Sequence, residues 1–148
     1  MQLLLKNDIS QVPLLADFID QVCEEFALDS NLCFQLNLVL EEAVVNVIQY
    51  AFPEGGEHTF TLDADKEADT VTFVLKDDGK PFNPLEQGPA VDISLDAEKR
   101  QIGGLGIFLV QQMMDEVEYQ RTPDGKNVLV MRKRSNPQDP PSPQGGVF

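Results

Sequence analysis

Glu42 and Asn46 lie four residues apart in the segment EEAVVNVIQYA, within a run of apolar and helix-forming residues from 32 to 51. At 100° per residue, both side chains fall on one face of a helix. A desolvated carboxylate is a candidate general base, and a neutral amide oxygen is a suitable ligand for Mg²⁺. The same spacing is typical of a helix's solvent face, but apolar residues border this pair, which favours a cleft.

A second group of polar residues, KDDGKPFNP at 76–84, directly follows an apolar strand. Asp77 or Asp78 can accept a hydrogen bond from a flat heterocycle, and Gly79 allows a ligand to approach the backbone closely. Asp and Gly are also common in turns, so an ordinary turn is the alternative. Pro81 and Phe82 interrupt the alternating oxygen ligands of a Ca²⁺ loop, which argues against that kind of site.

The third group is the glycine-rich stretch Gly103-Gly104-Leu105-Gly106, at the start of a predicted helix. Backbone N–H groups at a helix N-terminus, together with the helix dipole, favour binding of a phosphate. No Lys-Ser or Lys-Thr pair follows, which excludes a Walker-type P-loop. No strand with the spacing of a dinucleotide-binding unit leads into the stretch either.

The elements that must position these groups follow from hydrophobic periodicity and turn residues. The pattern predicts three helices and about five strands, with the strands mostly paired as hairpins. This order favours an α+β fold, a two-layer α/β sandwich with a mostly antiparallel mixed sheet and three helices on one face. The predicted helices are residues 12–26, 32–51 and 107–115, and the predicted strands are residues 3–5, 59–62, 71–75, 117–121 and 127–132.

Two segments fall outside these elements. Residues 77–101 form a long loop containing several Gly and Pro residues, which suggests a lid over a site. The final residues, 135–148, are rich in Pro, Gly and Ser and predict a disordered tail after a single domain of residues 1–134.

The composition restricts the classes of partner. Eleven Lys and Arg residues against 25 Asp and Glu residues give a formal net charge of −14, which repels nucleic acid and anionic membranes. No signal peptide or membrane span is recognised, so we expect a cytoplasmic protein. Cys23 and Cys33 lack CxxC spacing, and we expect both to be buried, reduced thiols.

Taken in order, Glu42-Ala43-Val44-Val45-Asn46, Asp77-Asp78-Gly79 and Gly104-Leu105-Gly106 resemble the N box and the two glycine boxes of the histidine-kinase-like (GHKL) ATPase superfamily. Within it, the chain most resembles the anti-sigma factor serine/threonine kinases, over nearly its whole length to Arg134. The resemblance implies the Bergerat-type ATPase fold, with ATP and Mg²⁺ bound.

The resemblance also implies a role for each matching position. Glu42 corresponds to the catalytic base and Asn46 to the Mg²⁺ ligand. Asp77 corresponds to the aspartate that binds the adenine amino group, with Gly79 beside the ring. The remaining implied nucleotide-binding residues are Gly104, Leu105 and Gly106 at the phosphates, Lys99 and Arg100 in the lid, and Asn127, where many relatives have a threonine near adenine.

The function implied is an ATP-dependent protein serine/threonine kinase. It would phosphorylate a serine of a small anti-sigma-factor antagonist and sequester a sigma factor or similar target in a partner switch. The sequence is compatible with a homodimer and does not decide whether the protein dimerises. The alternative is a nucleotide-dependent module that sequesters a partner without transferring phosphate. A base such as Glu42 favours the kinase, because a protein that only binds has no need of one.

Overall fold

The computed structural model describes residues 1–86 and 102–135, with the backbone alone described for residues 86 and 102–107. In these ranges the chain forms five strands, three α-helices and two short 3-10 segments, Ile9–Gln11 and Pro84–Glu86. The elements in chain order are β1 Gln2–Lys6, α1 Val12–Glu25, α2 Ser30–Tyr50, β2 Thr59–Glu67, β3 Thr70–Asp77, α3 Ile102–Met113, β4 Glu116–Arg121 and β5 Asn127–Arg134.

The strands form one sheet in the order β1-β2-β3-β5-β4, and every pair in it is antiparallel. Alternate side chains of each strand point to one buried face, as strand geometry requires. On β3, for example, Val71, Phe73 and Leu75 are buried, while the residues between them are half-buried. One face of the sheet therefore belongs to the core.

The apolar faces of the helices complete this core. Ile19 and Val22 of α1 and Leu36, Leu40 and Val44 of α2 are fully buried in the same cluster as the inward side chains of the sheet. Each such side chain contributes about 1.5–3 kcal/mol through its burial. The predicted α+β two-layer sandwich is confirmed, although the prediction allowed a mixed sheet where the pairs observed are all antiparallel.

Helix α2 begins and ends where the sequence indicates. The side chain of Asp29 accepts a hydrogen bond from the backbone N–H of Leu32 at 2.7 Å, which caps one of the free N–H groups of the first turn. The helix ends at Tyr50, shortly before Gly55 and Gly56, which adopt the left-handed φ values of 78° and 85°.

The 21 residues of α2 are long and apolar enough to span a membrane, by length and composition alone. Leu32, Leu36, Leu40 and Val44 nevertheless face the core that the sheet and helices share. A core helix passes the same test as a span. Because its apolar face is already covered by protein, α2 is the central core helix of the domain.

The β2–β3 hairpin is longer than predicted. Strands were expected at residues 59–62 and 71–75, with a polar connection between them, but β2 continues to Glu67 and β3 starts at Thr70. The acidic residues of the connection alternate with buried Leu62 and Ala64, so they lie on the sheet's solvent face. Residues 63–69 were predicted as a connection because most of them are charged.

The third helix also differs from its prediction. It was expected at residues 107–115 and is observed at Ile102–Met113, so the glycine-rich stretch lies inside its first turns. Glycine disfavours a helix interior by about 1 kcal/mol, but tertiary contacts offset such a preference, and α3 packs closely against α2.

Cys23 near the end of α1 and Cys33 near the start of α2 form a disulfide, with their Cα atoms 6.1 Å apart. The expectation of reduced thiols is therefore wrong. A short turn with Ala27 at a φ of 56° reverses the chain, so that cysteines ten residues apart face each other. Their spacing does not reveal this, because it depends on how the two helices pack. Disulfides are less common in the cytoplasm, and the cytoplasmic location stays a prediction.

Reduction of this disulfide is expected to lower the free energy of unfolding by about 2–3 kcal/mol, because the opened chain regains conformational entropy when unfolded. Urea denaturation with and without reductant measures the difference. The double variant Cys23→Ser with Cys33→Ser should match the reduced wild type and should not respond to reductant. Equal midpoints for the oxidised and reduced wild type would contradict this expectation.

The predicted lid and tail lie mainly outside the described residues. Residues 87–101, which include Lys99 and Arg100, and residues 136–148 are not described. The described chain reaches Ser135, one residue beyond the predicted domain end at Arg134.

Candidate functional site

A cleft that is partly open to solvent lies between α2 and the ends of β3 and β5. Its walls are mainly apolar and include Ala43, Val47, Leu75 and Leu129. Amide and carboxyl side chains enter it from three elements, with Asn46 from α2, Asp77 from β3 and Asn127 from β5. An apolar cleft with a few convergent polar groups is the usual form of a small-molecule site.

Asp77 is the last residue of β3 and is only 6% exposed. Its Oδ1 accepts hydrogen bonds from the backbone N–H of Gly79 at 2.8 Å and from Nδ2 of Asn127 at 2.9 Å. Burial raises the pKa of this carboxyl, and these two hydrogen bonds lower the pKa in part. The nearby charge of Asp78 raises the pKa further, and that of Arg121 lowers it.

Gly79 is buried against the end of α2. A Cβ at this position would lie 2.3 Å from the carbonyl oxygen of Ala51, closer than any real contact. The next residue, Lys80, donates its backbone N–H to the same carbonyl at 2.9 Å. Glycine is therefore required here by close packing of the loop on the helix, whether or not a ligand also approaches.

Asn127 lies directly opposite Asp77 in the β3–β5 pairing and is 5% exposed. Its Nδ2 also donates to the carbonyl oxygen of Lys80 at 2.8 Å, and its Oδ1 accepts from the backbone N–H of Phe82 at 3.3 Å. The sequence interpretation gave this amide a direct hydrogen bond to adenine. In the structure both of its N–H groups donate to protein atoms.

Glu42 and Asn46 lie one turn apart on α2, as predicted. Asn46 is 4% exposed and lines the cleft, while Glu42 is half-buried. Partial burial raises the pKa of Glu42 above its ordinary value, and the negative charge of the adjacent Glu41 raises it further. A raised pKa makes this carboxylate a stronger base, which is the property that proton abstraction requires.

The other predicted phosphate-binding residues are placed only in part. Gly104, Leu105 and Gly106 lie in the first turns of α3, where the earliest N–H groups of a helix have no partner within it. Lys99 and Arg100 lie outside the described residues. The role of each predicted site residue toward a nucleotide therefore stays a prediction.

The structure adds three residues that sequence reasoning missed. Tyr119 of β4 and Phe82 line the cleft, and the ring of Phe82 stacks on that of Tyr50 with centroids 5.5 Å apart. Arg121 donates through Nη1 to the carbonyl oxygen of Gly79 at 2.9 Å. Phe82 lies within the polar group at residues 76–84. For Tyr119 and Arg121 the signal in the sequence was their alternation with Val117 along a strand, which predicts that they share a face but not which residues that face contacts.

The residues present fit an adenine nucleotide with Mg²⁺. A buried carboxylate at one end of an apolar cleft suits a flat heterocycle that carries an amino group. Within residues 1–86 and 102–135, no three His, Cys, Asp or Glu side chains could together hold a metal ion. A Mg²⁺ ion at Asn46 would take its other ligands from phosphate oxygens and water, as is usual for this ion.

Comparison with known families gives one match over most of the chain. The family model described as histidine kinase-like ATPase domain matches residues 5–133. Of the strands and helices in the described part of the chain, these residues contain all except the start of β1 and the end of β5.

Curated relatives with similar sequences are protein kinases. Serine-protein kinase RsbW of Listeria monocytogenes is 32% identical over 87 residues, covering 56% of this chain and 55% of that protein. Serine/threonine-protein kinase BtrW of Bordetella bronchiseptica is 31% identical over 110 residues, covering 74% of this chain and 75% of that protein. The match thus spans about half the length of the first of these relatives and three quarters of the second.

Solved structures share the fold at low sequence identity. The histidine kinase domain of the blue-light activated histidine kinase from Erythrobacter litoralis EL346 has a TM-score of 0.54 at 15% identity, covering 88% of this chain and 62% of that chain. A chain in the crystal structure of the SiaB–SiaC complex from Pseudomonas aeruginosa has a TM-score of 0.50 at 14% identity, covering 88% of both chains. These similarities show a common architecture.

Proposed function

Since the chain belongs to the histidine kinase-like ATPase family, we propose that it is an ATP-dependent protein serine/threonine kinase of the anti-sigma type. The observation that carries the proposal is the position of Glu42. It lies half-buried on α2, one turn from Asn46 in the cleft, and its pKa is raised by burial. A site that only binds a nucleotide has no use for a proton-accepting carboxylate at this position.

The chemistry follows from these side chains. Glu42 accepts the proton of the acceptor serine hydroxyl, whose oxygen bonds to the γ-phosphorus as the bond to the bridging oxygen of ADP breaks. Asn46 would hold a Mg²⁺ ion, which neutralises charge on the phosphate oxygens. Asp77 accepts a hydrogen bond from the amino group of adenine and fixes the base, and so the phosphates, relative to Glu42.

The partners proposed are a small anti-sigma-factor antagonist that carries the acceptor serine and a sigma factor or similar target. The curated relatives named as serine or serine/threonine kinases support a protein serine as acceptor. Phosphorylation adds about −1.5 to −2 charges to the antagonist, and this chain carries a formal charge of −14. Repulsion between the two would release the phosphorylated antagonist and free the kinase for its second partner.

Transfer of label from γ-labelled MgATP to proteins of the native cell extract tests the proposal. The expected result is labelled serine on one small protein, identified by mass spectrometry of the labelled peptide. An extract without added kinase provides the background. If the purified protein binds ATP but labels nothing, the module that sequesters a partner without phosphate transfer becomes the better description.

A further inference from the structure

The carboxamide of Asn127 has all of its hydrogen-bonding groups engaged by the protein. Its two N–H bonds point to Oδ1 of Asp77 at 2.9 Å and to the carbonyl oxygen of Lys80 at 2.8 Å. Its oxygen accepts from the N–H of Phe82 at 3.3 Å and from the hydroxyl of Tyr119 at 2.5 Å. A side-chain amide offers two donors and two acceptor lone pairs, so this amide has no group left to bind a ligand.

These partners also fix which way the amide points. The carbonyl of Lys80 can only accept and the N–H of Phe82 can only donate, so the amide nitrogen must face Lys80 and the oxygen must face Phe82. The hydroxyl of Tyr119 then has to donate, because it meets an amide oxygen. The same orientation places the second amide N–H against Asp77.

The contact with Asn127 also helps to orient the carboxylate of Asp77. Its Oδ1 accepts both from Asn127 and from Gly79, which holds the carboxylate plane in place. Among the hydrogen bonds of residues 1–86 and 108–135 none reaches Oδ2, which is therefore the acceptor for an incoming amino group. Tyr119 itself is half-buried and lines the same cleft from β4. Asp77, Asn127 and Tyr119 thus form a chain of hydrogen bonds across three strands.

We propose that Tyr119 is a positioning residue for nucleotide selection, which acts through Asn127 to hold the carboxylate of Asp77 in the orientation that accepts a hydrogen bond from the 6-amino group of a purine. The inference rests on the proposed function, because it takes an adenine nucleotide as the ligand. It assigns Asn127 an indirect role in place of direct contact with the base.

The test compares two nucleotides that differ at one position of the base. Inosine triphosphate carries an oxygen where ATP carries the amino group, so it cannot donate to Asp77. Calorimetric titration of each nucleotide with Mg²⁺, without any acceptor protein, gives the ratio of their affinities. The wild type is expected to bind ATP more tightly than inosine triphosphate.

Tyr119→Phe removes the hydroxyl and keeps the ring. We expect it to weaken ATP binding by about 3- to 10-fold, the loss typical of one hydrogen bond, while inosine triphosphate binding stays within about twofold. A purely structural role would weaken both nucleotides equally and leave the ratio unchanged. Gln120→Ala, an exposed neighbour on the other face of β4, is the matched control and should change neither affinity.

A double-mutant cycle tests the route through Asn127. In an Asn127→Ala background, Tyr119→Phe should have no further effect on the affinity ratio, because the group that transmits the effect is gone. Thermal unfolding of each variant checks that it is folded, and if Asn127→Ala is not, Asn127→Val, whose side chain also forms no hydrogen bond, takes its place in the cycle. Equal effects of Tyr119→Phe in both backgrounds would overturn the inference.

The outcomes separate this inference from the proposed function. If Tyr119→Phe leaves the ratio at the wild-type value while the wild type transfers phosphate, the inference fails and the kinase assignment stands. If the wild type binds neither nucleotide, the proposed function fails and the inference fails with it.

Discussion

Replacement of Glu42 by glutamine is expected to slow phosphoryl transfer by about 10²–10⁴-fold, the usual contribution of a general base, and to leave the affinity for MgATP within about twofold. Glutamine has nearly the same shape but cannot accept a proton from the serine hydroxyl. The change leaves Asn46, proposed to hold the Mg²⁺ ion, and Asp77, proposed to bind adenine, unaltered.

Single-turnover transfer to the purified antagonist, with nucleotide affinity measured separately, checks this expectation. The rate should also fall as the pH drops through the raised pKa of Glu42, since the carboxylate must be ionised to act as a base. Glu41→Gln is the matched control. It removes the charge that helps raise the pKa of Glu42, so it should move the acid limb of the profile to lower pH and keep the rate at neutral pH. An unchanged transfer rate in Glu42→Gln would mean that a group other than Glu42 accepts the proton of the serine hydroxyl.

Replacement of Asp77 by asparagine is expected to weaken ATP binding by about 10²-fold. The variant's amide oxygen can keep the hydrogen bonds from Gly79 and Asn127, so the fold should be preserved. Its amide nitrogen would then take the place of Oδ2 and present a donor to the amino group of adenine, which is also a donor. The loss combines a missing charge-assisted hydrogen bond, worth about 1.5–3 kcal/mol, with an unpaired polar contact in a buried site.

Titration of the variant with ATP and with inosine triphosphate measures this loss. The discrimination between the two should shrink or reverse, because the oxygen of inosine can accept from the new amide. Asp78→Asn changes the neighbouring carboxylate, which is exposed, and should bind ATP almost normally. Normal ATP affinity in Asp77→Asn would mean that this loop does not recognise the base.

The positions of the site residues on α2 could be predicted from the sequence because helix geometry is local. Glu42 and Asn46 share a face through the fixed 100° turn between residues, and Asp29 caps α2 through a hydrogen bond that spans three residues. The fold class followed in the same way from alternating and helical periodicities. Local rules therefore sufficed wherever the partners lie within a few turns of each other.

The contacts between site residues on different strands of the sheet could not be predicted in this way. Tyr119 reaches Asn127, and Asn127 reaches Asp77, through strand pairings that join residues up to 50 positions apart. The disulfide between Cys23 and Cys33 and the packing of Gly79 on Ala51 depend on similar tertiary contacts. A single sequence states which residue types are present and leaves such pairings undetermined.

The register of β3 and β5 also decides where this protein tolerates changes in chain length. Asp77 and Asn127 are cross-strand partners, and an extra residue inside either strand would turn one of the two side chains to the opposite face. A connection outside the strands carries no such constraint, because doubling the length of a loop costs only about 0.6 kcal/mol of closure entropy. Relatives that keep this end of the cleft are therefore expected to differ in length in their connections and to keep the residue spacing inside β3 and β5 unchanged.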